Sequence, residues 1–176
     1  ETEAYDELLI ELEVLECCKV VFGEKGLRSA ILSRLVGLFN SALNGYLVKF
    51  NLPFRITFDD NLGYKVTGFN GDEKNFNLFS GGEKWRANTA LFFTFSDILR
   101  IQNQISFNFK FFDEYFDYAV CPQGLENVSE ILLERLDKQG ENSVIITHRK
   151  EFEIENSHVL TVVKEKGYSR ILEDEV

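Results

Sequence analysis

Two short runs, Phe107 to Phe112 and Ser143 to Thr147, constrain the fold of this chain more than any other feature. Each is apolar on both faces and too short for a helix. Between them lies a helical stretch from about Glu126 to Lys138, with Gly140 as its stop signal. That order predicts neighbouring buried parallel strands in a βαβ unit. In such a unit the C-terminal strand ends face the ligand. Here those ends carry Asp113-Glu114 and His148.

The chain has 176 residues, 44% of them hydrophobic, enough for one domain with a core. No apolar run approaches the ~20 residues of a membrane span, and no signal-peptide pattern opens the sequence. Three cysteines, two of them adjacent, make no disulfide framework, so a reducing compartment, the cytoplasm, is expected. A net charge of −10 argues against a general polyanion-binding surface. Methionine is absent and residue 1 is Glu, which suggests a fragment or a processed product.

Tyr5, Leu8, Leu12, Leu15 and Phe22 follow heptad spacing, broken by Lys19, so residues 1–22 are expected to form a coiled-coil stub. An ordinary amphipathic helix is the plainer alternative. Gly23 and Gly26 end it, and a second helix from about Arg28 to Leu47 is expected to bury Ile31, Leu35, Leu38, Ala42 and Tyr46. Phe54 to Asp59 and Tyr64 to Phe69 read as a hairpin. Glu83 to Ile101 reads as a long helix with Leu91, Phe92, Phe95, Ile98 and Leu99 buried. Val159 to Val163 and Ser169 to Leu172 close the chain as a second hairpin. The reading is one α/β domain, residues 23–176, with a helical projection.

Three motifs carry chemistry. Ser80-Gly81-Gly82-Glu83, at the mouth of a long helix, spells a capping box. Its paired glycines bare the first backbone N–H groups, which with the helix dipole suit an anion such as a terminal phosphate. A plain Gly-rich helix cap has the same spelling. Asp113-Glu114 places two carboxylates at a strand end, where one can hold Mg²⁺ and the next can orient or deprotonate water. An acidic strand end in an acidic protein is the plainer reading. Thr147-His148 puts an imidazole beside them, within reach of a γ-phosphate, although a lone histidine after a strand is usually structural. His158 carries only that ordinary reading. No GxxxxGK[ST] loop is present, and Gly23-Glu24-Lys25-Gly26 has the wrong spacing. By itself the chain lacks a cradle for α- and β-phosphates.

In this order the motifs resemble the C-terminal lobe of an ABC-type ATPase head. Phe79 to Lys84 looks like the signature motif, Phe109 to Glu114 like Walker B, and Ile145 to His148 like the switch-histidine segment. With the heptad stub and Phe22 to Arg28, the chain is most similar to the SbcC family of double-strand-break-repair ATPases, which includes the large subunit of phage recombination endonucleases. The resemblance implies an α/β fold with a helical signature region, a parallel-sheet Walker B part and a coiled-coil stub. It implies ATP and Mg²⁺, with Asp113 on the metal, Glu114 as catalytic base and His148 on the γ-phosphate. Ser80, Gly81, Gly82 and Glu83 would serve the nucleotide of a second head. Implied partners are an N-terminal P-loop lobe of the same protein, a second copy of the head, an SbcD-type nuclease and DNA, with no membrane. The expected setting is the cytoplasm, the host's if the protein is phage-encoded. An SMC-type chromosome organiser without a nuclease is the alternative, told apart by a globular hinge instead of a CxxC hook. A non-enzymatic acidic interaction module is the third reading. Two departures stand out: the family's Asp six residues beyond the catalytic Glu is Val120 here, with Asp117 the nearest acid, and Tyr115 replaces the customary Pro or Gly.

Overall fold

The computed structural model describes residues 2–23, 26–103, 107–117, 121–149, 152, 154–155 and 157–173. Among the described residues four α-helices, α1 (Thr2–Phe22), α2 (Leu27–Lys49), α3 (Gly81–Asn103) and α4 (Pro122–Gln139), combine with seven strands. The first three strands, β1 (Phe54–Phe58), β2 (Tyr64–Gly68) and β3 (Glu73–Lys74), form an antiparallel sheet in that order. β4 (Phe109–Asp113) and β5 (Asn142–Ile146) pair in parallel, and β6 (Leu160–Glu165) and β7 (Tyr168–Glu173) make the closing hairpin. The βαβ expectation holds: α4 joins the two parallel strands and stops at Gly140, whose φ of 64° is the left-handed cap that glycine adopts without strain.

Three details differ from the pattern-based expectation. α2 buries Val36, Leu43 and Leu47, with Phe50 buried at its C-cap, leaving Ile31 and Leu38 exposed. α3 buries Ala87, Ala90, Phe93 and Thr94, whereas Phe92, Phe95 and Leu99 are exposed and Leu91 and Ile98 only half-buried. α3 has apolar residues on two adjacent faces, and packing selects the one with alanines, which lets helices approach closely. Hydropathy alone favours the larger side chains and picks the wrong face. The parallel pair is also covered on one side only. Phe112 and Ile145 face the core, while Phe109, Phe111, Val144 and Ile146 form an exposed apolar face. α1 leaves Leu8, Leu12, Leu15 and Phe22 exposed. Among the described residues no helix is long and apolar enough to cross a membrane.

The antiparallel sheet is tied to α2 by two asparagines that imitate a neighbouring strand. Asn40 accepts from the Phe58 amide at 2.8 Å and donates to its carbonyl at 2.9 Å; Asn44 does the same for Ile56 at 3.2 and 2.8 Å. The free edge of β1 is thereby satisfied. Phe54 then stacks on Phe79 at 4.4 Å, fixing the residue that precedes Ser80.

A buried ionic cluster joins α2, α3, α4 and the strand pair. Arg135, 3% exposed, donates to Glu141 at 2.8 and 2.9 Å, to Asp97 at 2.7 Å and to the Tyr46 hydroxyl at 2.8 Å. Tyr46 donates to Asp97 at 2.7 Å, and Lys110 on β4 pairs with Glu141. Burial alone raises the Glu141 carboxyl, but hydrogen bonds from Arg135 and Lys110 outweigh it and hold the group below its usual range. Burial lowers the Lys110 ammonium despite its partner.

Arg135→Ala strands Glu141 and Asp97 without their shared cation, so it is expected to cost about 3–5 kcal/mol, read from the urea midpoint. Because the folded Glu141 carboxyl is depressed, its contribution is complete above the ordinary Glu value near 4.3. It is lost as pH falls through the lower folded value. Glu141→Gln should flatten the acid limb of stability against pH.

Candidate functional site

The parallel register sets the geometry. Asp113 ends β4 opposite Ile146, the last residue of β5. Glu114 comes one residue after the end of β4 and His148 two residues after the end of β5, and the two lie side by side: His148 Nε2 is 2.9 Å from Glu114 Oε1. With an ionised carboxylate as acceptor, the imidazole donates from Nε2. Both side chains reach solvent, His148 more so than Glu114. Glu114 also has a φ of 51°, a left-handed backbone that costs a non-glycine residue of order 1–3 kcal/mol. Its amide donates to Ile146 O at 2.9 Å, and its carbonyl accepts from Asp117 N at 3.1 Å, closing a tight turn.

Asp117 holds the other side of this turn. Its carboxylate accepts from the Thr147 hydroxyl and, at 2.8 Å, from the His148 amide. Arg149 donates to the Asp117 carbonyl at 3.1 Å. Slight burial raises the Asp117 carboxyl, but the hydrogen bonds from Thr147 and His148 prevail and keep it below the usual range. The exit of β5 is thus strapped to the exit of β4. Sequence reading noticed Asp117 only as the nearest acid in an atypical loop. The available signal was the polar run Thr147-His148-Arg149, whose donors need an acceptor across the sheet.

Ser80 to Glu83 forms the expected capping box at the start of α3. Glu83 Oε2 accepts from the Ser80 amide at 2.9 Å and hydroxyl at 2.7 Å, and the Glu83 amide donates back to Ser80 Oγ at 3.3 Å. The Ser80 hydroxyl, with the Ser80 amide next, holds the Glu83 carboxyl below its ordinary value. Ser80 and Gly81 are exposed, so the helix mouth opens to solvent. The motif lies on a different element from Glu114 and His148, and its hydrogen bonds close within itself. Val120 and the Glu24-Lys25 pair lie outside the described residues.

Asp113 is an exposed carboxylate at a strand end, and among the described residues no three acidic, cysteine or histidine groups converge on one point. That donor set fits Mg²⁺, which binds through one or two carboxylates and completes its shell with phosphate and water.

No family model matches the chain. It is 31% identical over 126 residues to exonuclease subunit 2 of Escherichia phage RB69 and 29% identical to that of Enterobacteria phage T4. Each match covers 72% of this chain and 22% of the relative, so the chain spans about a fifth of these proteins. Its fold matches a structure from work on ATP-driven dimerization and DNA-stimulated activation of SMC ATPases, with TM-score 0.67 and 16% identity, covering 84% of this chain and 89% of that one. It also matches an Smc head domain with coiled coil and joint from Pyrococcus yayanosii, with TM-score 0.62 and 19% identity, covering 97% of this chain and 32% of that one. The chain is homologous to the phage exonuclease subunit over the aligned segment, and it shares the α/β fold of these SMC head structures, the fold class that the motif order implied.

Asp117→Ala removes the acceptor for Thr147 and the His148 amide. Hydrogen exchange at the His148 amide should accelerate about tenfold, with little change in the core of α3.

Proposed function

We propose that this relative of phage exonuclease subunit 2 is the C-terminal lobe of an SbcC-like ATPase head acting in DNA double-strand-break repair or recombination. Residues 1–22 are then the base of a coiled coil and residues 23–176 the lobe proper. The lobe hydrolyses ATP once completed by an N-terminal P-loop lobe. The observation that carries this reading is the 2.9 Å contact between Glu114 and His148 at the ends of adjacent parallel strands. The exposed apolar face of β4 and β5 and the exposed seam of α1 offer surfaces for the missing lobe and for a second coil. An SbcD-type nuclease would dock at the base of that coil, and head closure would govern its access to DNA.

Each residue has a defined task in this reading. Asp113 holds Mg²⁺, which supplies charge neutralisation at the phosphates when bound. Glu114, with Oε1 engaged by His148, keeps Oε2 to accept a proton from the attacking water. His148 Nε2 can turn from Glu114 to a γ-phosphate oxygen, exchanging one anionic acceptor for another. Glu83 orients the Ser80 hydroxyl, and Gly81 and Gly82 clear the first amides of α3 for the γ-phosphate bound on a second head. One lobe thereby contributes to two active sites, so nucleotide binding favours dimerisation and hydrolysis favours release.

The likeness to SMC heads supports the alternative of a chromosome organiser without a nuclease. The sequence relation to exonuclease subunits favours the repair reading. Co-purification of a stoichiometric nuclease subunit with the full protein would decide for repair, and its absence for the alternative.

Glu114→Gln retains an acceptor for His148 and the carbon skeleton but loses the base. In the completed head, turnover should fall by about 10²–10⁴ while ATP-dependent dimerisation persists. Normal hydrolysis by this variant rules out Glu114 as base. Ser80→Arg fills the helix mouth and breaks the bond to Glu83, so it should abolish ATP-dependent dimerisation in gel filtration. If dimers form with ordinary affinity, the signature assignment fails.

A further inference from the structure

The two sets of proposed site residues sit on separate elements, yet a closed ring of hydrogen bonds connects them. Trp85 lies two residues beyond Glu83 on α3, and Tyr115 directly follows Glu114. The Trp85 indole Nε1–H donates to the Tyr115 carbonyl at 3.2 Å. The Thr89 hydroxyl donates to the Trp85 carbonyl at 2.9 Å, which uses its only proton. At 3.1 Å from Thr89 Oγ1, the Tyr115 hydroxyl must therefore be the donor of that pair. Each of the three residues gives one hydrogen bond and accepts one. The Trp85 and Tyr115 rings pack at 5.8 Å, and Trp85 meets Phe116 edge-on at 6.0 Å. Thr89 is fully buried and both rings are half-buried, so water competes poorly for these bonds.

Tyr115 is also where the strained backbone of Glu114 must be held. The β5 carbonyl of Ile146 fixes the Glu114 amide, upstream of the left-handed φ. The indole bond to the Tyr115 carbonyl and the phenol bond to Thr89 fix the next residue, downstream of it. A φ of this kind persists only where its surroundings over-determine it. Any shift of the first turns of α3 pulls directly on this anchor.

We propose that Trp85, Thr89 and Tyr115 act as one positioning unit that couples the Ser80–Glu83 helix mouth to the orientation of the Glu114 carboxylate. This rests on the reading of Glu114 as base and of Ser80 as part of the opposite site. None of the three touches phosphate. Their effect falls on catalytic orientation, where a displacement of about 1 Å can cost up to a hundredfold in rate. In that arrangement, contact of a second head with the α3 mouth is felt at Glu114 of the same lobe.

The test uses steady-state ATP hydrolysis by the full head, completed by its P-loop lobe. Tyr115→Phe removes only the phenol hydroxyl, and Trp85→Phe removes the indole donor while keeping a smaller aromatic ring. Each is expected to lower kcat roughly tenfold with KM for ATP within about twofold of the parent, because ground-state phosphate contacts are untouched. Residues acting as a unit lose their function together, so the double variant should be no slower than the worse single one. Both singles should keep the parent's thermal midpoint within a few degrees. Parental kcat in Tyr115→Phe, or independent multiplication of the two losses, overturns the unit as proposed. Glu114→Gln runs alongside. If it still turns over, the base assignment itself is wrong; if it is inactive while Tyr115→Phe is unaffected, only the coupling is refuted.

Discussion

The parallel pairing of β4 with β5 is the constraint on which everything else in this molecule rests. Asp113 opposite Ile146 is one rung of a ladder that brings residues 34 positions apart into hydrogen-bond contact. A slip of that ladder by one residue would turn alternate side chains to the other face and separate Glu114 from His148. Two features hold the register. α4 packs its apolar face over the core side of the pair, and the Arg135–Glu141–Lys110 cluster pins the beginnings of both strands to α2 and α3.

At the other end of the ladder the backbone is strained instead of relaxed. Glu114 pays for its left-handed conformation with bonds on both sides, and the same bonds aim its carboxylate away from the core, toward solvent and His148. Asp117 and Tyr115 lie in the loop that follows β4. Two sets of hydrogen bonds tie that loop to its neighbours: a carboxylate strap to the β5 exit, and a ring through Trp85, Thr89 and Tyr115 to α3. Rigidity at the strand ends is thus assembled from side chains on three separate elements.

The molecule is asymmetric in how it treats its apolar surface. The core between α2, α3, the first sheet and α4 is dense with aromatic contacts, whereas the outer face of the parallel pair, the outer face of α3 and the seam of α1 carry large exposed side chains. Exposure of that extent, arranged on contiguous faces and not scattered, is what an interaction surface looks like. The proposed role as one lobe of a larger head would call for surfaces of this kind.

The amino-acid sequence by itself determined the order of the main elements, the parallel pair, both hairpins and the capping box, because each is written in local spacing: period-two or unbroken apolar runs, a glycine stop, and Ser-x-x-Glu at a helix mouth; the two-residue β3, in a polar stretch, carries no such signal. It also determined that Asp113, Glu114 and His148 would share one edge, since parallel strands align their C-terminal ends. Tertiary structure alone decided which helix face is buried. α2 and α3 each carry more apolar residues than one contact can cover, and the choice fell on the faces with the better fit, not those with the greater hydropathy. Tertiary structure likewise decided that Asp117 would clasp Thr147 and His148, and that Trp85 would reach the carbonyl beyond Glu114. These bonds join residues about 30 positions apart, and no periodicity encodes a partner at that separation.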